Sequence, residues 1–420
     1  MSQLPAWVKT EDMRLDARLD EQGRWVTGTV NELAVPRAAD AAQREIVIRD
    51  DTLRSGGNTP GVYASIDKKV RIAAVLEEMG VKEAEVGYGS LADDRRFVEQ
   101  LRQRDTRMVL GMHARSWLPN WKSDIDAIAG CGGSLVNFVG MQGYTMTHAL
   151  HPQLNGEAFL ARMEECIAYA KQRGLKVAFG SDHPRPEVMP ETIRRACAAG
   201  LDRWVVYDPR GWFLPQTMAM FVNLVRVAAE DKIEVTVHAH DDFGLATAIT
   251  LEGIRAGAMG CDVCVNRTGH RCGNAAFEQV AVALEYFFGY RTGIDLSKIT
   301  ALSQLVSELY EIPVPENAPI VGHNMFSYGG LHIPGILRGD WFLWENIRAE
   351  TVGSKRHIVY GPSALQRGAD SPIDAKVAKL GKSPSEAQMD RIISGLRELI
   401  EAKKFATDAE VETVISRVMG

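Results

Sequence analysis

Val235-Thr236-Val237-His238-Ala239-His240-Asp241-Asp242-Phe243-Gly244 reads as a short apolar strand running into a polar turn. His238 and His240 are two residues apart, so extended backbone presents both imidazoles on one side. Neutral imidazole is a common ligand of divalent ions, which makes the pair a candidate half-site for a metal. Two histidines at a polar strand end would look the same, so the motif needs support from the rest of the chain.

Outward from this strand, one pattern repeats from Arg44 to about Gly289. Short β-rich runs fall at 45–48, 83–86, 108–112, 135–139, 176–179, 204–207, 234–238 and 262–265. Segments of helical period lie between them, at 67–79, 93–103, 122–130, 156–173, 188–199, 215–230, 244–256 and 274–288. Gly80, Gly174 and Gly200 follow three of these helices as stop signals. Eight strand–helix units in roughly 245 residues is the usual size of a (β/α)8 TIM barrel. A doubly wound sheet would normally need fewer strands, and no strand-to-helix Gly-x-Gly-x-x-Gly is present. The expected organisation is an N-terminal leader over 1–44, a barrel over 45–290, and a mostly helical linker subdomain over 291–420.

In a barrel, chemistry sits where strands end and loops begin. Those ends carry Asp50 and Arg54, Glu85, His113, Gln142, Asp182 with His183, Asp208, the His238/His240 pair and Asn266. Polar loop residues are expected anywhere. Arg, Glu and paired His gathered at one end are not, because clustered charge is a poor source of stability.

The whole chain has 420 residues, 45% hydrophobic and 24% charged, with a formal net charge of -6. The mildly acidic balance and the lack of a basic tract argue against nucleic acid. No apolar run approaches the ~18–20 residues that span a bilayer, and Met1 to Arg24 lacks an apolar export core. Six scattered cysteines suit a reduced, cytoplasmic protein. Cys261 and Cys264 have CxxC spacing, but in a strand their sulfurs face opposite ways, so they read as packing residues.

Four stretches, taken together and in order, resemble the DRE-TIM metallolyase superfamily, the barrels of the HMG-CoA lyase-like or pyruvate carboxyltransferase type. They are Ile48-Arg49-Asp50-Asp51-Thr52-Leu53-Arg54-Ser55-Gly56-Gly57-Asn58, Glu83-Ala84-Glu85-Val86-Gly87, the His238/His240 strand, and Asn266-Arg267-Thr268-Gly269-His270-Arg271-Cys272-Gly273-Asn274. Pro319-Ile320-Val321-Gly322-His323-Asn324 and Gly330-Leu331-His332-Ile333-Pro334 resemble the linker of the isopropylmalate, citramalate and homocitrate synthase branch. No regulatory domain of the kind some synthases carry is expected after residues 383–419.

The resemblance implies an acyl-CoA-dependent C-acyltransferase that joins acetyl-CoA to a 2-oxo acid by a metal-assisted Claisen condensation. It implies a divalent cation, Mg, Mn or Zn, held by His238, His240, Asn274 and the position of Ser55. Arg54, Glu85, Asp182 and His332 take the catalytic positions, with Asp182 and His332 as the acid/base pair. His113, Arg185, Arg210 and Asp50 are the candidate substrate-binding residues. The partners implied are acetyl-CoA or another acyl-CoA, an anionic 2-oxo acid, and a second copy of the chain in a homodimer. No nucleic acid or membrane is expected.

The sequence also departs from the pattern. Ser55 stands where the family has an acidic metal ligand, so the ion should bind more weakly unless Asp50, Asp51 or a water takes its place. The sixth-strand signature reads Asp208-Pro209-Arg210-Gly211, which adds a cation and removes a hydroxyl, and His270 stands where the family has an acid. Together with His183 and Arg185 these changes point to an altered anionic acceptor. Two other readings follow from the same residues: a carbon–carbon lyase or aldolase on the same barrel, and a non-catalytic barrel that has lost its metal acid.

Overall fold

The computed structural model describes residues 17–20, 22–28, 30–140, 156–181, 184–339, 341, 344–368 and 371–420. Eight strands form where the β-rich runs lie: β1 (Val47–Asp50), β2 (Glu83–Tyr88), β3 (Val109–Ala114), β4 (Leu135–Gly140), β5 (Lys176–Ser181), β6 (Arg203–Asp208), β7 (Glu234–Ala239) and β8 (Gly260–Val263). Each is followed by a helix: α1 (Ile66–Glu78), α2 (Ala92–Gln103), α3 (Trp121–Cys131), α4 (Gly156–Gln172), α5 (Met189–Ala198), α6 (Pro215–Ala228), α7 (Ala246–Arg255) and α8 (Phe277–Phe288). All neighbouring strands pair in parallel, and β8 pairs with both β7 and β1, which closes the barrel. The fold is therefore the expected α/β TIM barrel. Gly80, Gly174 and Gly200 take left-handed φ of 101°, 78° and 98°, so the helices stop where the sequence says they should.

Period two along the strands separates two environments. Phe138, Phe179 and Trp204 are register neighbours on β4, β5 and β6, and all are buried. Phe179 meets Phe159 of α4 at 6.1 Å between ring centroids, so this stripe faces the helices. The alternate positions face the barrel axis, where Leu135, Ala178, Val205 and Tyr207 pack into an apolar layer with charged side chains toward either end. At the N-terminal end of β6, Arg203 pairs with Glu83 and, at 2.7 Å, with Glu234. Toward the opposite end the lining becomes the candidate site.

The chain divides into two compact units, Arg37–Val314 and a second made of Met1–Pro36 with Pro315–Gly420. In the first, the helix Ile299–Tyr310 is tied to the barrel by Tyr310, whose hydroxyl donates to the Thr52 carbonyl at 2.9 Å. Asn266 serves the same tie, its amide donating to the Ser303 carbonyl at 2.8 Å. In the second, Ala17–Leu19 and Val26–Gly28 pair antiparallel inside the stretch that reads as an irregular leader. The segment rich in proline and glycine forms short 3-10 turns at His323–Phe326 and Gly330–His332 and a short helix at Ile333–Arg338. Ile333 joins Tyr360, Ile392, Leu396, Val411 and Ile415 in this unit's own core. Glu386–Lys403 and Asp408–Met419 each begin with a capping box, as a charged helical end should. No described helix is long and apolar enough to cross a membrane.

Glu278, in the first turn of α8, is buried and accepts from the Asn266 backbone N–H at 3.1 Å. Burial outweighs that bond and lifts its carboxyl from 4.5 to about 7. Between those values the folded chain holds a proton that the unfolded chain has released. Stability from this group is full below the lower value and is lost as pH rises through the upper one. Glu278→Gln keeps an acceptor and removes the charge. Relative to the parent, its unfolding free energy should rise by on the order of 2–3 kcal/mol from pH ~4.5 to ~7.5 and stay level above. Denaturant melts across that range measure it, and a difference that is flat with pH would contradict the assignment.

Candidate metal-binding active site

Barrel closure puts β8 between β1 and β7, and the register does the rest. Arg49 of β1 lies beside Asp262 of β8, and Asp262 lies beside His238 of β7. His238 in turn neighbours Tyr207 of β6. These four inward-facing residues come from opposite ends of the barrel sequence and share one layer. Asp262 accepts from Arg49 Nε at 2.5 Å through Oδ1 and meets His238 Nδ1 at 2.9 Å through Oδ2. Arg49 Nη1 reaches Glu85 Oε1 at 3.1 Å. Glu85 Oε2 lies 3.0 Å from His113 Nε2 and 4.0 Å from Arg54 Nε. Asn137 Nδ2 links Glu85 Oε1 at 3.3 Å to the Tyr207 hydroxyl at 2.9 Å.

The electrostatics follow from burial and pairing. Burial works against ionising Glu85, but His113, Arg49 and Arg54 outweigh it and hold the carboxyl well below the usual range. Burial likewise opposes Asp262, and Arg49 with His238 keeps it ionised. For Asp51 burial wins over Arg54 and His238, and its carboxyl rises to about 6. His240 is pushed down to about 2 by burial and by neighbouring His238 and Arg271. It is therefore uncharged near neutral pH, which is the form that can bind a metal.

His238 has two occupied edges. Its Nδ1 edge faces Asp262 at 2.9 Å and Asp51 Oδ2 at 3.7 Å. Its Nε2 edge faces His240 Nε2 at 3.4 Å and the Asn274 amide nitrogen at 3.0 Å. Ser55 Oγ donates to Asn274 Oδ1 at 3.0 Å, so all four expected metal-ligand positions converge on the Nε2 edge. The loop that brings Asn274 there depends on Gly273, at φ 87°, where a Cβ would lie 1.5 Å from the Arg267 carbonyl oxygen.

Of the other expected residues, Arg54, Glu85 and His113 belong to the buried network. The contacts of three lie elsewhere. Asp50 is buried with both carboxylate oxygens taken by Thr52, at 3.0 Å from its N–H and 2.6 Å from its hydroxyl. Arg185 is exposed and pairs with Glu187 at 2.6 Å. Arg210 is exposed and lies over the Trp212 ring at 5.1 Å. His332 sits in the second unit, exposed, with its ring 4.4 Å from that of Trp344. Asp182, His183 and Gln142 lie outside the described residues. Sequence reasoning passed over Arg49, Asp262, Asn137 and Tyr207. The available signal was a charge inside a strand, at 49 and at 262, where an apolar residue is the norm.

The HMGL-like family matches residues 45–306. The chain belongs to the HMGL-like family. Its curated relatives include a putative (R)-citramalate synthase of Archaeoglobus fulgidus, 35% identical over 89% of this chain and 76% of that protein. The homocitrate synthase of Methanopyrus kandleri is 30% identical over 95% of this chain and 97% of its own length. The 2-isopropylmalate synthase of Methanocaldococcus jannaschii is 32% identical over 89% of this chain and 72% of the relative. An HMG-CoA lyase from Brucella melitensis shares the barrel fold, with a TM-score of 0.55, 19% identity, and coverage of 64% of this chain and 99% of the lyase.

HMGL-like enzymes of the DRE-TIM type use a divalent metal, and two sets of donors here could hold one. Asp51, His238 and Asp262 offer three atoms within 4.8 Å of one another. His238 Nε2, His240 Nε2, Asn274 and Ser55 form the other set. Two nitrogens that share one tetrahedral ion, each about 2.1 Å from it, lie about 3.4 Å apart, close to the gap between these imidazoles. His240 Nδ1 is buried without a hydrogen-bond partner, and its Nε2 faces His238 Nε2 at 3.4 Å. The residues present fit an ion, and the four expected donors at the Nε2 edge include no carboxylate.

Supplying that carboxylate should tighten binding. In calorimetric titrations with Mn2+ or Zn2+, Ser55→Asp should lower Kd by about tenfold or more, since one extra charge beside a dication outweighs its desolvation at a polar mouth. His238→Ala should abolish the binding heat. Equal affinities for all three proteins would mean that the ion, if any, binds elsewhere.

Proposed function

We propose that this protein is an acyl-CoA-dependent C-acyltransferase that condenses acetyl-CoA with a 2-oxo acid, in the manner of the citramalate, homocitrate and isopropylmalate synthases. The observation that carries the reading is the extent of likeness. The synthases at 30–35% identity align over 89–95% of this chain, so the likeness runs through the C-terminal unit as well as the barrel. The lyase likeness covers 64%, at an identity that speaks for the fold alone.

The bound ion would supply Lewis-acid polarisation of the keto group of the acceptor. The donors, two imidazoles, an amide and a hydroxyl, are neutral, which favours an imidazole-binding ion such as zinc over magnesium or manganese. Arg54 is the fixed cation at the mouth. Its Nη2 is held by Asp51 at 2.7 Å, and its Nε is buried without a hydrogen-bond partner. An N–H kept free in this way suits the oxygen on which negative charge grows as the new carbon–carbon bond forms. Glu85 orients Arg54 and His113 from below. His113 is depressed by burial and by Arg54, so it meets the substrate as a neutral ring. Asp182 and, from a second copy of the chain, His332 are proposed as the acid/base pair that takes the methyl proton of acetyl-CoA and protonates the product. Hydrolysis of the thioester then makes the condensation irreversible and releases free thiol.

A thiol-release assay with acetyl-CoA and a panel of 2-oxo acids, with and without EDTA, tests the reading. Metal-dependent release with at least one acceptor is expected. Arg54→Ala should lower kcat by about a hundredfold or more, as loss of an oxyanion donor does. No release with any acceptor, while a hydroxyacyl-CoA or 2-hydroxy diacid is cleaved, would move the protein to the lyases.

A further inference from the structure

We propose that Arg49 and Asp262 are a positioning pair that fixes His238 as the Nδ1–H tautomer and turns its Nε2 lone pair to the metal. The proposal builds on the reading of His238 as a metal ligand, and it concerns two residues to which the sequence motifs assign no role.

Four observations converge. Asp262 Oδ2 lies 2.9 Å from His238 Nδ1, hydrogen-bond distance for an N–H donating to a carboxylate. The other oxygen of Asp262 is taken by Arg49 at 2.5 Å, so the carboxylate cannot rotate away. Asn274 points an amide N–H at His238 Nε2 from 3.0 Å, which requires a lone pair on that nitrogen. The Tyr207 ring packs on the imidazole at 5.1 Å between centroids and limits its rotation. Arg49, Asp262 and His238 are all buried, and the strand register fixes their order.

The same observations argue against the alternative, an ion at the Nδ1 edge among Asp51, His238 and Asp262. Both carboxylates there already carry an arginine. Asp51 Oδ2, the oxygen that faces His238, is 2.7 Å from Arg54 Nη2, and Asp262 Oδ1 is 2.5 Å from Arg49. A dication added to that edge would meet two buried guanidinium groups at close range. At the Nε2 edge the facing donors are uncharged. A carboxylate behind a metal-binding imidazole sets its tautomer and raises its basicity, and losing such a partner typically weakens metal binding by about 10–100-fold.

The test uses the full chain with 15N-labelled histidine and long-range 1H–15N spectra, with His238 assigned by comparison with His238→Gln. In the metal-free parent, His238 should show a protonated Nδ1 and an unprotonated Nε2. Adding zinc should shift the Nε2 resonance. Asp262→Asn should mix the two tautomers and raise the zinc Kd by about 10–100-fold. An Nε2–H tautomer in the parent would overturn the proposal, as would a zinc shift at Nδ1 or an Asp262→Asn protein that binds zinc as the parent does. The wrong tautomer with a normal zinc response defeats this proposal alone. The right tautomer with no zinc response at either nitrogen defeats the metal reading of the site and the proposal with it. The parent spectra decide the matter even if Asp262→Asn fails to fold.

Discussion

The structure of the barrel interior turns on one buried cation. Arg49 is 1% exposed and stands among Asp262, Glu85 and Glu83, at 2.5, 3.1 and 3.6 Å. Removing any of these charges from water is expensive, and the arrangement holds only because each carboxylate finds an arginine. Arg203 repeats the device one layer below with Glu83, and Arg54 repeats it above with Asp51. The barrel axis is thus a column of alternating charge. Each side chain in it is held by its neighbours, because an unpaired charge in that place would be far costlier than a paired one.

That column explains why the site is rigid before anything binds. His238 is braced by Asp262, and Glu85 is held between Arg49 and His113, so both mouth-facing groups start from fixed orientations. Fixed dipoles and charges stabilise a developing charge without the reorganisation that water would need. Among the described residues, the buried polar atoms without a hydrogen-bond partner include two in this region, Arg54 Nε and His240 Nδ1. A buried polar atom without a partner is unfavourable in itself, and a cluster of them beside paired charges is more characteristic of a site than of a core.

The barrel was legible because it is written in local pattern. Period two in the strands, a helical period between them and glycine stops need no knowledge of the partner strand, and all eight units appear near their expected places. The upper half of the site was legible for a related reason: His238, His240, Arg54 and Asn274 sit at strand ends or in loops with recognisable neighbours. The lower half was not. Arg49 and Asp262 are 213 positions apart in the chain and meet only because β8 closes against β1. Asp50 misled because an acid at a strand end resembles a ligand until Thr52 is seen to occupy both of its oxygens. Arg210 reads as a cation added at the sixth-strand signature, and where it lies depends on a neighbour the motif does not show, the Trp212 ring beneath it. Asp51, a candidate replacement for the acid missing at Ser55, stands with Asp262 on the Nδ1 edge of His238, where its Oδ2 also meets Arg54.

The replacement at Ser55 invites the view of a barrel that has lost its chemistry, and the column of charge argues against it. Replacing a buried ion pair with apolar residues of similar volume is often neutral or stabilising. A protein that needed only the barrel as a scaffold would gain nothing from keeping Arg49, Arg54 and Arg203 buried with their carboxylates. What the arrangement does provide is two imidazole nitrogens 3.4 Å apart and an arginine N–H kept free beside them. Loss of the acid at position 55 lowers the negative charge facing the ion without disturbing the parts that orient it. Such a change alters how tightly the metal binds, and which metal, while leaving intact the frame on which catalysis depends.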